Sequence, residues 1–260
     1  MKNNIYNIIK KSIKYSTGRN KANLHEPIFF GKEKKYLQKC IDTTFVSSAG
    51  KYISMFEKKL SKFTKSKNVI AVLNGTIALQ VALKSLGIKK NDEVLIPTVT
   101  FVGTANAIKH CDAIPHFIDT SLNSLGISVE ALDNYLKKIA IKKNKFLFNK
   151  KTKRRIFAII PVHVFGHISK IDDLVKISKK YNLKVVEDGA EALGSFYKNK
   201  HAGTFGDLGI ISFNGNKIIT TGGGGAILCN NNNLAKKIRH LVSTAKKSHK
   251  WSFFHDRVAW

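Results

Sequence analysis

The sequence predicts an α/β protein whose mostly parallel sheet is covered by helices on both faces. Between residues 68 and 242, short apolar stretches alternate with amphipathic stretches long enough to form helices. Strands that are separated by helices pair in parallel, because the crossover returns the chain to the same end of the sheet. Gly87 is placed to end one helix and Ser128 to begin another. No internal repeat or Pro/Gly-rich linker divides this region, which favours one α/β domain.

The predicted elements follow from the spacing of apolar residues, which is close to two in strands and 3.6 in helices. The predicted strands are Asn68–Leu73, Glu93–Ile96, Ile114–Ile118, Ile156–Pro161, Val185–Glu187, Leu208–Phe213 and Gly225–Cys229. The predicted helices are Ile5–Tyr15, Tyr52–Phe63, Thr76–Leu86, Thr100–Lys109, Ser128–Ala140, Ile171–Tyr181 and Asn233–Val242. A lysine-rich loop is expected to join Ala140 to the strand that starts at Ile156.

The formal net charge of +28 is the most prominent feature of the composition. Taken alone, it points to nucleic acid or an anionic membrane surface as a partner. However, lysine outnumbers arginine 40 to 5, and the lysines are spread along the chain. Nucleic-acid recognition usually relies on arginine forks and aromatic stacking, and neither clusters here. We therefore interpret the charge as solvated surface lysine and expect no nucleic-acid partner.

Residues 1–22 are predicted to form a basic helical extension before a domain that covers residues 23–260. The extension is expected to pack on the domain, with a membrane-surface role as the alternative. No apolar run approaches the length of a transmembrane segment or a secretory signal. Cys40, Cys111 and Cys229 are far apart and form no metal-ligand or redox motif. We therefore expect a cytoplasmic protein with neither a metal nor a membrane partner.

Lys217 differs from the other lysines in its surroundings. It follows the apolar run Leu208–Phe213 and a polar turn, and it precedes the four glycines Gly222–Gly225. Partial desolvation there would lower the pKa of the amine and free it to attack a carbonyl, although a surface loop lysine fits the local pattern equally well. Asp188 ends the strand-like run 183–188. A buried carboxylate and an imine-forming lysine on neighbouring strand ends are what pyridoxal phosphate chemistry requires.

Other candidate residues follow strands at the same edge of the predicted sheet, where ligands of α/β proteins bind. Gly75 and Thr76 start a helix whose amides could bind phosphate, or they form a plain helix cap. Phe101 could cover an aromatic ring or belong to the core. Ser212 could donate a further hydrogen bond to phosphate. His163 follows another strand and is either a site residue or a structural histidine.

Four sequence motifs closely resemble the DegT/DnrJ/EryC1/StrS family of sugar aminotransferases. The motifs are VVEDGAEALGS at residues 185–195, GTFGD at 203–207, SFNGNK at 212–217 and TTGGGG at 220–225. The resemblance extends from about Leu24 onward. The segments 24–27 and 45–51, together with the Asn-Gly-Asn-Lys loop, look most like the branch that acts in legionaminic acid and related nonulosonate pathways.

The resemblance implies a fold-type I, pyridoxal phosphate-dependent transferase. Lys217 would be the Schiff-base lysine, and Asp188 would pair with the pyridine nitrogen. The phosphate would be held by Gly75, Thr76 and Ser212, and the cofactor ring would lie against Phe101. Glu191 stands where many members have Gln, near the phenolic oxygen of the cofactor. His163 and Asn216 are expected to contact the substrate.

The implied reaction is amino transfer from glutamate to a nucleotide-linked 4-keto-6-deoxy sugar, in particular a UDP-linked 2-acetamido sugar. Such reactions serve cell-surface glycan or nonulosonate biosynthesis. The full-length protein is expected to be a homodimer. Residues 23–260 would form the large cofactor-binding domain, and the smaller C-terminal domain of the family would be absent. The alternative is therefore an impaired fragment or a binding or regulatory homologue without catalytic activity.

Overall fold

A computed structural model describes residues 2–21, 23, 25–48, 50–247 and 254–260. Leu24 and Ala49, which belong to segments quoted above, lie outside the described residues. The central sheet has the strand order β1-β11-β10-β7-β6-β2-β3, and β4 and β5 extend it as a hairpin beside β6. The strands are β1 Asn68–Val72, β2 Glu93–Pro97, β3 Ile114–Ile118, β4 Ala140–Lys143, β5 Phe146–Asn149, β6 Arg155–Ile159, β7 Lys184–Asp188, β8 Phe196–Tyr197, β9 Lys200–His201, β10 Leu208–Ser212 and β11 Gly225–Cys229.

The pairing is parallel from β10 through β7, β6 and β2 to β3, whereas β11 runs antiparallel to both β10 and β1. Strands β8 and β9 form a separate small hairpin. The predicted α/β fold with a mostly parallel sheet is therefore confirmed. The helices are α1 Lys2–Thr17, α2 Glu33–Asp42, α3 Lys51–Thr64, α4 Gly75–Leu86, α5 Val102–Lys109, α6 Val129–Ile139, α7 Ile171–Tyr181 and α8 Asn232–Val242.

Successive residues along the strands point to opposite faces of the sheet and enter different apolar cores. Ile96 and Val186 pack in the core beneath α4, α5 and α8. Leu95 and Val185, one residue earlier, pack in the core that includes residues of α6 and α7. A third apolar cluster packs α3 against one face of β1, β10 and β11. Burial of both faces explains why the adjacent residues Leu95 and Ile96, and likewise Val185 and Val186, are all apolar.

Two expectations about local structure were wrong, and one helix was not predicted. The lysine-rich segment after Ala140 contains the β4–β5 hairpin, because buried Leu147 anchors β5 beside β6. Helix α2 was not predicted, and none of its residues is buried. Helix α1 exists over Lys2–Thr17, but it does not pack on the domain: Ile5 and Ile9 are each more than half exposed. The division at residue 22 stays a prediction. No helix in the described part of the chain is long and apolar enough to cross a bilayer.

The topology brings several chain segments to one edge of the sheet. Because β1 and β10 are both antiparallel to β11, they point the same way, parallel to β7. Asn74, Asp188 and Ser212 therefore lie at the same carboxyl edge, where the loops after parallel strands meet. Helix α4 starts at this edge, with the Asn74 side chain accepting a hydrogen bond from the Ile77 N–H at 2.9 Å.

Replacing Gly209 with alanine should destabilise the fold. A Cβ atom on Gly209 would overlap the carbonyl oxygen of Gly203, because the chain before β10 crosses directly over the strand. We expect Gly209→Ala to lower the free energy of unfolding by about 2 kcal/mol or more. Gly223→Ala is the matched control, since its Cβ would be 3.9 Å from the nearest neighbour, the Leu73 carbonyl oxygen. Urea unfolding measures both; equal midpoints would contradict the close approach.

Candidate active site

A cavity of about 310 Å³ lies at the carboxyl edge of the sheet. Its walls come from the loops after β1, β2, β7 and β10 and from the starts of α4 and α5. The lining residues are Asn74, Gly75, Thr76, Leu79, Phe101, Gly103, Thr104, Asp188, Ala190, Glu191, Ile210, Ser212, Asn214, Asn216 and Lys217. The structure thus brings together every predicted site residue except His163.

One end of the cavity is built to receive an anion. The N–H groups of Gly75 and Thr76 belong to the first turn of α4 and have no acceptor within the helix. The positive end of the helix dipole points in the same direction. A Cβ atom on Gly75 would lie 3.2 Å from Ser212 Cβ, so glycine lets the serine hydroxyl approach the helix start closely. Amides and a hydroxyl therefore converge where a phosphate would bind.

Asp188 occupies the middle of the cavity floor. It ends β7 and is almost fully buried, at 6% exposure. Its carboxylate accepts hydrogen bonds from the Thr104 hydroxyl at 2.7 Å and the Ala190 N–H at 3.2 Å. Burial nevertheless raises the pKa of Asp188 above its ordinary value, since these two donors only partly replace water. A carboxylate in that condition favours a cationic partner in the cavity.

The amine of Lys217 also reaches the cavity. Its side chain is mostly buried, and Nζ lies 2.9 Å from Oε1 of Glu191. The other carboxylate oxygen of Glu191 accepts a hydrogen bond from the Phe165 N–H at 3.0 Å. Burial alone would raise the pKa of Glu191, but the hydrogen bond and charge of Lys217 outweigh it and hold that pKa below its ordinary value. Partial burial of Lys217 was expected from the sequence, whereas its ion pair was not.

Phe101 is not a core residue, which was the alternative interpretation of the sequence. Its side chain is 73% exposed and lies over the start of α5. A Cβ atom on Gly103 would lie 2.9 Å from both the Phe101 ring and the Thr76 hydroxyl, so glycine leaves room for the ring beside the helix start. Asn216 also lines the cavity, where its side chain accepts a hydrogen bond from the Asn214 amide at 3.0 Å.

His163 is the predicted site residue that the structure places elsewhere. Its side chain is fully buried, and Nε2 lies 3.0 Å from a carboxylate oxygen of Glu187. Among the described residues, its Nδ1 has no hydrogen-bond partner. His163 therefore lies beside Glu187 and is not among the residues that line the cavity, and its expected contact with substrate stays a prediction.

Sequence reasoning missed two residues that shape the site. Thr104 holds the carboxylate of Asp188, and Asn74 caps the helix whose amides face the anion end. A signal for Thr104 was present, since it follows Phe101 by three residues and so lies near it on the first turns of a helix. The sequence placed the possible helix cap at Gly75 and Thr76, whereas the structure has Asn74 in this role.

A second cavity has a different chemical character. It measures about 540 Å³ and lies between α2 and the start of α3. Its lining is mainly apolar, with Lys51 as its one charged residue among those described. Without a paired acid and base, it does not compete with the cavity of Asp188 and Lys217 as a catalytic site. In the described part of the chain, no group of three or more His, Cys, Asp or Glu side chains is arranged for a metal ion.

Two solved structures with the same fold are aminotransferases. A DegT DnrJ EryC1 StrS aminotransferase from Brucella abortus superposes with a TM-score of 0.77 at 28% identity, covering 88% of this chain and 58% of that chain. An aminotransferase from Psychrobacter cryohalolentis gives a TM-score of 0.76 at 28% identity, covering 90% of this chain and 56% of that one. The fold is therefore that of the fold-type I, pyridoxal phosphate-dependent transferases.

Residues 29–259 match the model of the DegT/DnrJ/EryC1/StrS aminotransferase family, and the chain belongs to this family. The GDP-perosamine synthase of Escherichia coli O157:H7 is 38% identical over 237 residues, which cover 91% of this chain and 60% of the relative. The putative pyridoxal phosphate-dependent aminotransferase EpsN of Bacillus subtilis strain 168 is 37% identical over 227 residues, covering 87% and 56%. The chain thus spans at most 60% of the length of these two relatives. The predicted family and cofactor are confirmed, while the legionaminic acid branch is not.

Replacing Asp188 with asparagine should stabilise the cofactor-free protein at neutral pH. The raised pKa means that the folded chain holds this proton to higher pH than the unfolded chain does. The contribution of Asp188 to stability is therefore fully present at acid pH and is lost as the pH rises through the folded-state pKa. Asparagine avoids the loss, and we expect a gain of about 1–3 kcal/mol at pH 8 that disappears toward pH 4.

The measurement is the free energy of unfolding across this pH range for the wild type and Asp188→Asn. Asp112→Asn is the matched control, because Asp112 is exposed and asparagine tolerates its positive φ of 57°. A variant that is less stable than the wild type at pH 8 would show that the Thr104 and Ala190 donors stabilise Asp188 as an anion, and the expected gain would be wrong.

Proposed function

We propose that the protein transfers an amino group from glutamate to a nucleotide-linked 4-keto-6-deoxy sugar with the help of pyridoxal phosphate. The observation that carries the proposal is one cavity in which a mostly buried amine and a buried carboxylate lie beside a helix start free to bind phosphate. The relatives add that this family transfers amino groups in sugar metabolism.

The residues present fit this cofactor on structural grounds. The amides of Gly75 and Thr76 and the hydroxyl of Ser212 provide donors for its phosphate. Asp188 has a raised pKa and, within the described chain, no ion-pair partner, as suits a carboxylate that receives a pyridinium. Phe101 offers an exposed aromatic face at the mouth of the cavity. When bound, pyridoxal phosphate supplies an aldehyde that captures amines and a ring that takes up the electrons of a substrate carbanion.

We assign each side chain one task in this reaction. Asp188 keeps the ring nitrogen protonated, because a carboxylate of raised pKa gains most from sharing a proton with a base. Thr104 orients the carboxylate by its 2.7 Å hydrogen bond. Lys217 would hold the cofactor through its amine, and when free that amine would carry the proton to and from the reacting carbon. Ser212 and the start of α4 keep the phosphate fixed, so that the ring does not shift between the steps.

We also assign a task to Glu191, which would lie near the phenolic oxygen of the cofactor. Its carboxylate lies within hydrogen-bonding distance of the Lys217 amine. In the free protein it keeps that amine at the cavity, and its negative charge would repel a phenolate brought to the same place. We propose that Glu191 takes up a proton, or shares one, when the cofactor binds.

The nucleotide is the finer part of the proposal. The sequence motifs favour a UDP-linked 2-acetamido sugar of the legionaminic acid branch, and that assignment stays a prediction. The names of two relatives, the GDP-perosamine synthases of Escherichia coli O157:H7 and Vibrio cholerae, favour a GDP-linked sugar instead. Both relatives cover 91% of this chain, at 38% and 39% identity. We also propose that the full-length protein is a cytoplasmic homodimer that acts in glycan biosynthesis.

Purified protein incubated with pyridoxal phosphate should keep a visible absorbance band after gel filtration, and borohydride should abolish it. Lys217→Ala should lack the band, because no other amine of the described residues lines the cavity. Lys236→Ala, an exposed lysine of α8, should behave like the wild type. A band that persists in Lys217→Ala, or one lost equally in both variants, would show that another lysine captures the cofactor.

A panel of UDP- and GDP-linked 4-keto-6-deoxy sugars tests the reaction itself, with glutamate as the donor and 2-oxoglutarate formation as the readout. A full-length protein, including whatever its relatives have beyond the aligned region, is compared with this chain. We expect turnover with one of the nucleotide sugars. Lys217→Ala should lower the rate of that turnover by at least about 10³-fold. A protein that shows the absorbance band but forms 2-oxoglutarate with none of the sugars would be a cofactor-binding homologue, and the proposed reaction would be wrong.

A further inference from the structure

Helix α1 presents an apolar face that the described chain leaves mostly uncovered, with Ile13 near the end of the helix half-buried. Ile5, Ile8 and Ile9 are 57%, 56% and 54% exposed, and Tyr6 beside them is 63% exposed. Among the described residues, no hydrogen bond or ion pair links α1 to the α/β domain; the bonds recorded for its side chains and end stay within residues 13–19. Isoleucines of this exposure on one face of a helix are typical of a surface that is covered by a partner.

The opposite face of α1 is basic. At 100° per residue, Ile5, Ile9 and Ile13 follow one another along one side of the helix. Asn7, Lys10 and Lys14 follow one another along the other side, and Lys11 lies next to them. The sequence has no acidic residue before Glu26. The helix therefore combines an apolar stripe with a purely cationic one.

We propose that α1 binds an anionic lipid surface, lying in the plane of the interface with its isoleucines in the acyl region and its lysines among the headgroups. An uncovered apolar stripe opposite lysines, without acidic residues, is the pattern of interfacial helices. The charge favours this partner over a second copy of the chain. Each copy carries a net +28, so two helices would bring together like charges, whereas anionic headgroups attract them.

The structure thereby changes the expectation drawn from the sequence, which was that the helix packs on its own domain and that the protein has no membrane partner. Packing on the domain would have left no apolar surface to insert. The helix ends near Gly18, whose φ of +69° turns the chain away from the helix axis before the domain begins. The inference is independent of the proposed function, because it uses none of the cavity residues.

Two lysine substitutions on opposite faces of α1 distinguish insertion of the isoleucines into the lipid from simple attraction between lysines and anionic headgroups. Ile9→Lys and Asn7→Lys add the same charge to the same helix. Both positions are exposed, so neither variant should disturb the domain. The probe is sedimentation of the whole chain with vesicles of phosphatidylglycerol and phosphatidylcholine in equal parts, against vesicles of phosphatidylcholine alone. Circular dichroism and the midpoint of urea unfolding report separately that each variant is folded.

We expect the wild type to bind the anionic vesicles in preference to the neutral ones, and added salt to weaken that binding. Ile9→Lys should lower the partition coefficient by roughly tenfold or more, because a charge replaces an inserted apolar side chain. Asn7→Lys should keep or raise the coefficient, since it adds a charge to the headgroup side.

Stronger binding in both variants would show that the many lysines of the chain adsorb without insertion, and the proposal would be wrong. Equal binding of the wild type to neutral and anionic vesicles, or no binding to either, would also overturn it. A change in oligomeric state caused by Ile9→Lys in the absence of lipid, measured by analytical ultracentrifugation, would assign the apolar face to a protein partner instead.

Discussion

The fold of the site depends on a buried carboxylate that itself does not line the cavity. Glu187 has no exposed side-chain surface. One of its oxygens accepts hydrogen bonds from the N–H groups of Phe205 and Gly206 at 2.6 and 2.7 Å. The other accepts the Gly203 N–H at 2.8 Å and lies 3.0 Å from Nε2 of His163. These bonds fasten the loop before β10 to the middle of the sheet, and they supply the donors that a buried anion needs.

Because the loop is held to β7, the start of β10 is held too, and with it the strand that leads to the lysine. β10 pairs with β7 so that Ile210 lies opposite Asp188, and Ser212 follows at the cavity. The alternation of side chains along β7 then separates two tasks. Glu187 points to the face where it ties loops together, while Asp188 points to the cavity. Adjacent acidic residues of one strand thus have different roles, since one is satisfied by backbone amides and the other is left for a ligand.

Much of this arrangement could be predicted from the sequence, since strand runs, helix caps and glycine stops are local signals. They located the strand ends, and strand ends of a parallel sheet converge, so Asp188, Ser212 and Gly75 were expected to lie together. The role of His163 was not predictable, because the sequence pattern of a histidine after a strand is identical whether its side chain faces a cavity or a buried glutamate. The ion pair between Lys217 and Glu191 depends on two loops that are far apart in the sequence. The β4–β5 hairpin was not predicted, because the many lysines of this segment are typical of a loop. Its position in the sheet depends instead on the burial of Leu147.

Two carboxylates near one amine acquire different chemistry from their surroundings alone. Asp188 is buried behind Thr104, and desolvation raises its pKa. Glu191 lies closer to solvent, and its contact with Lys217 lowers its pKa. In the free protein, the charge of Lys217 is therefore balanced by Glu191, and Asp188 keeps its affinity for a second cation. Environments that move two pKa values apart in this way are typical of sites in which two carboxylates have different chemical tasks. The ion pair with Glu191 holds the Lys217 amine in the free protein, whereas the carboxylate of Asp188 is held by the Thr104 hydroxyl and the Ala190 N–H.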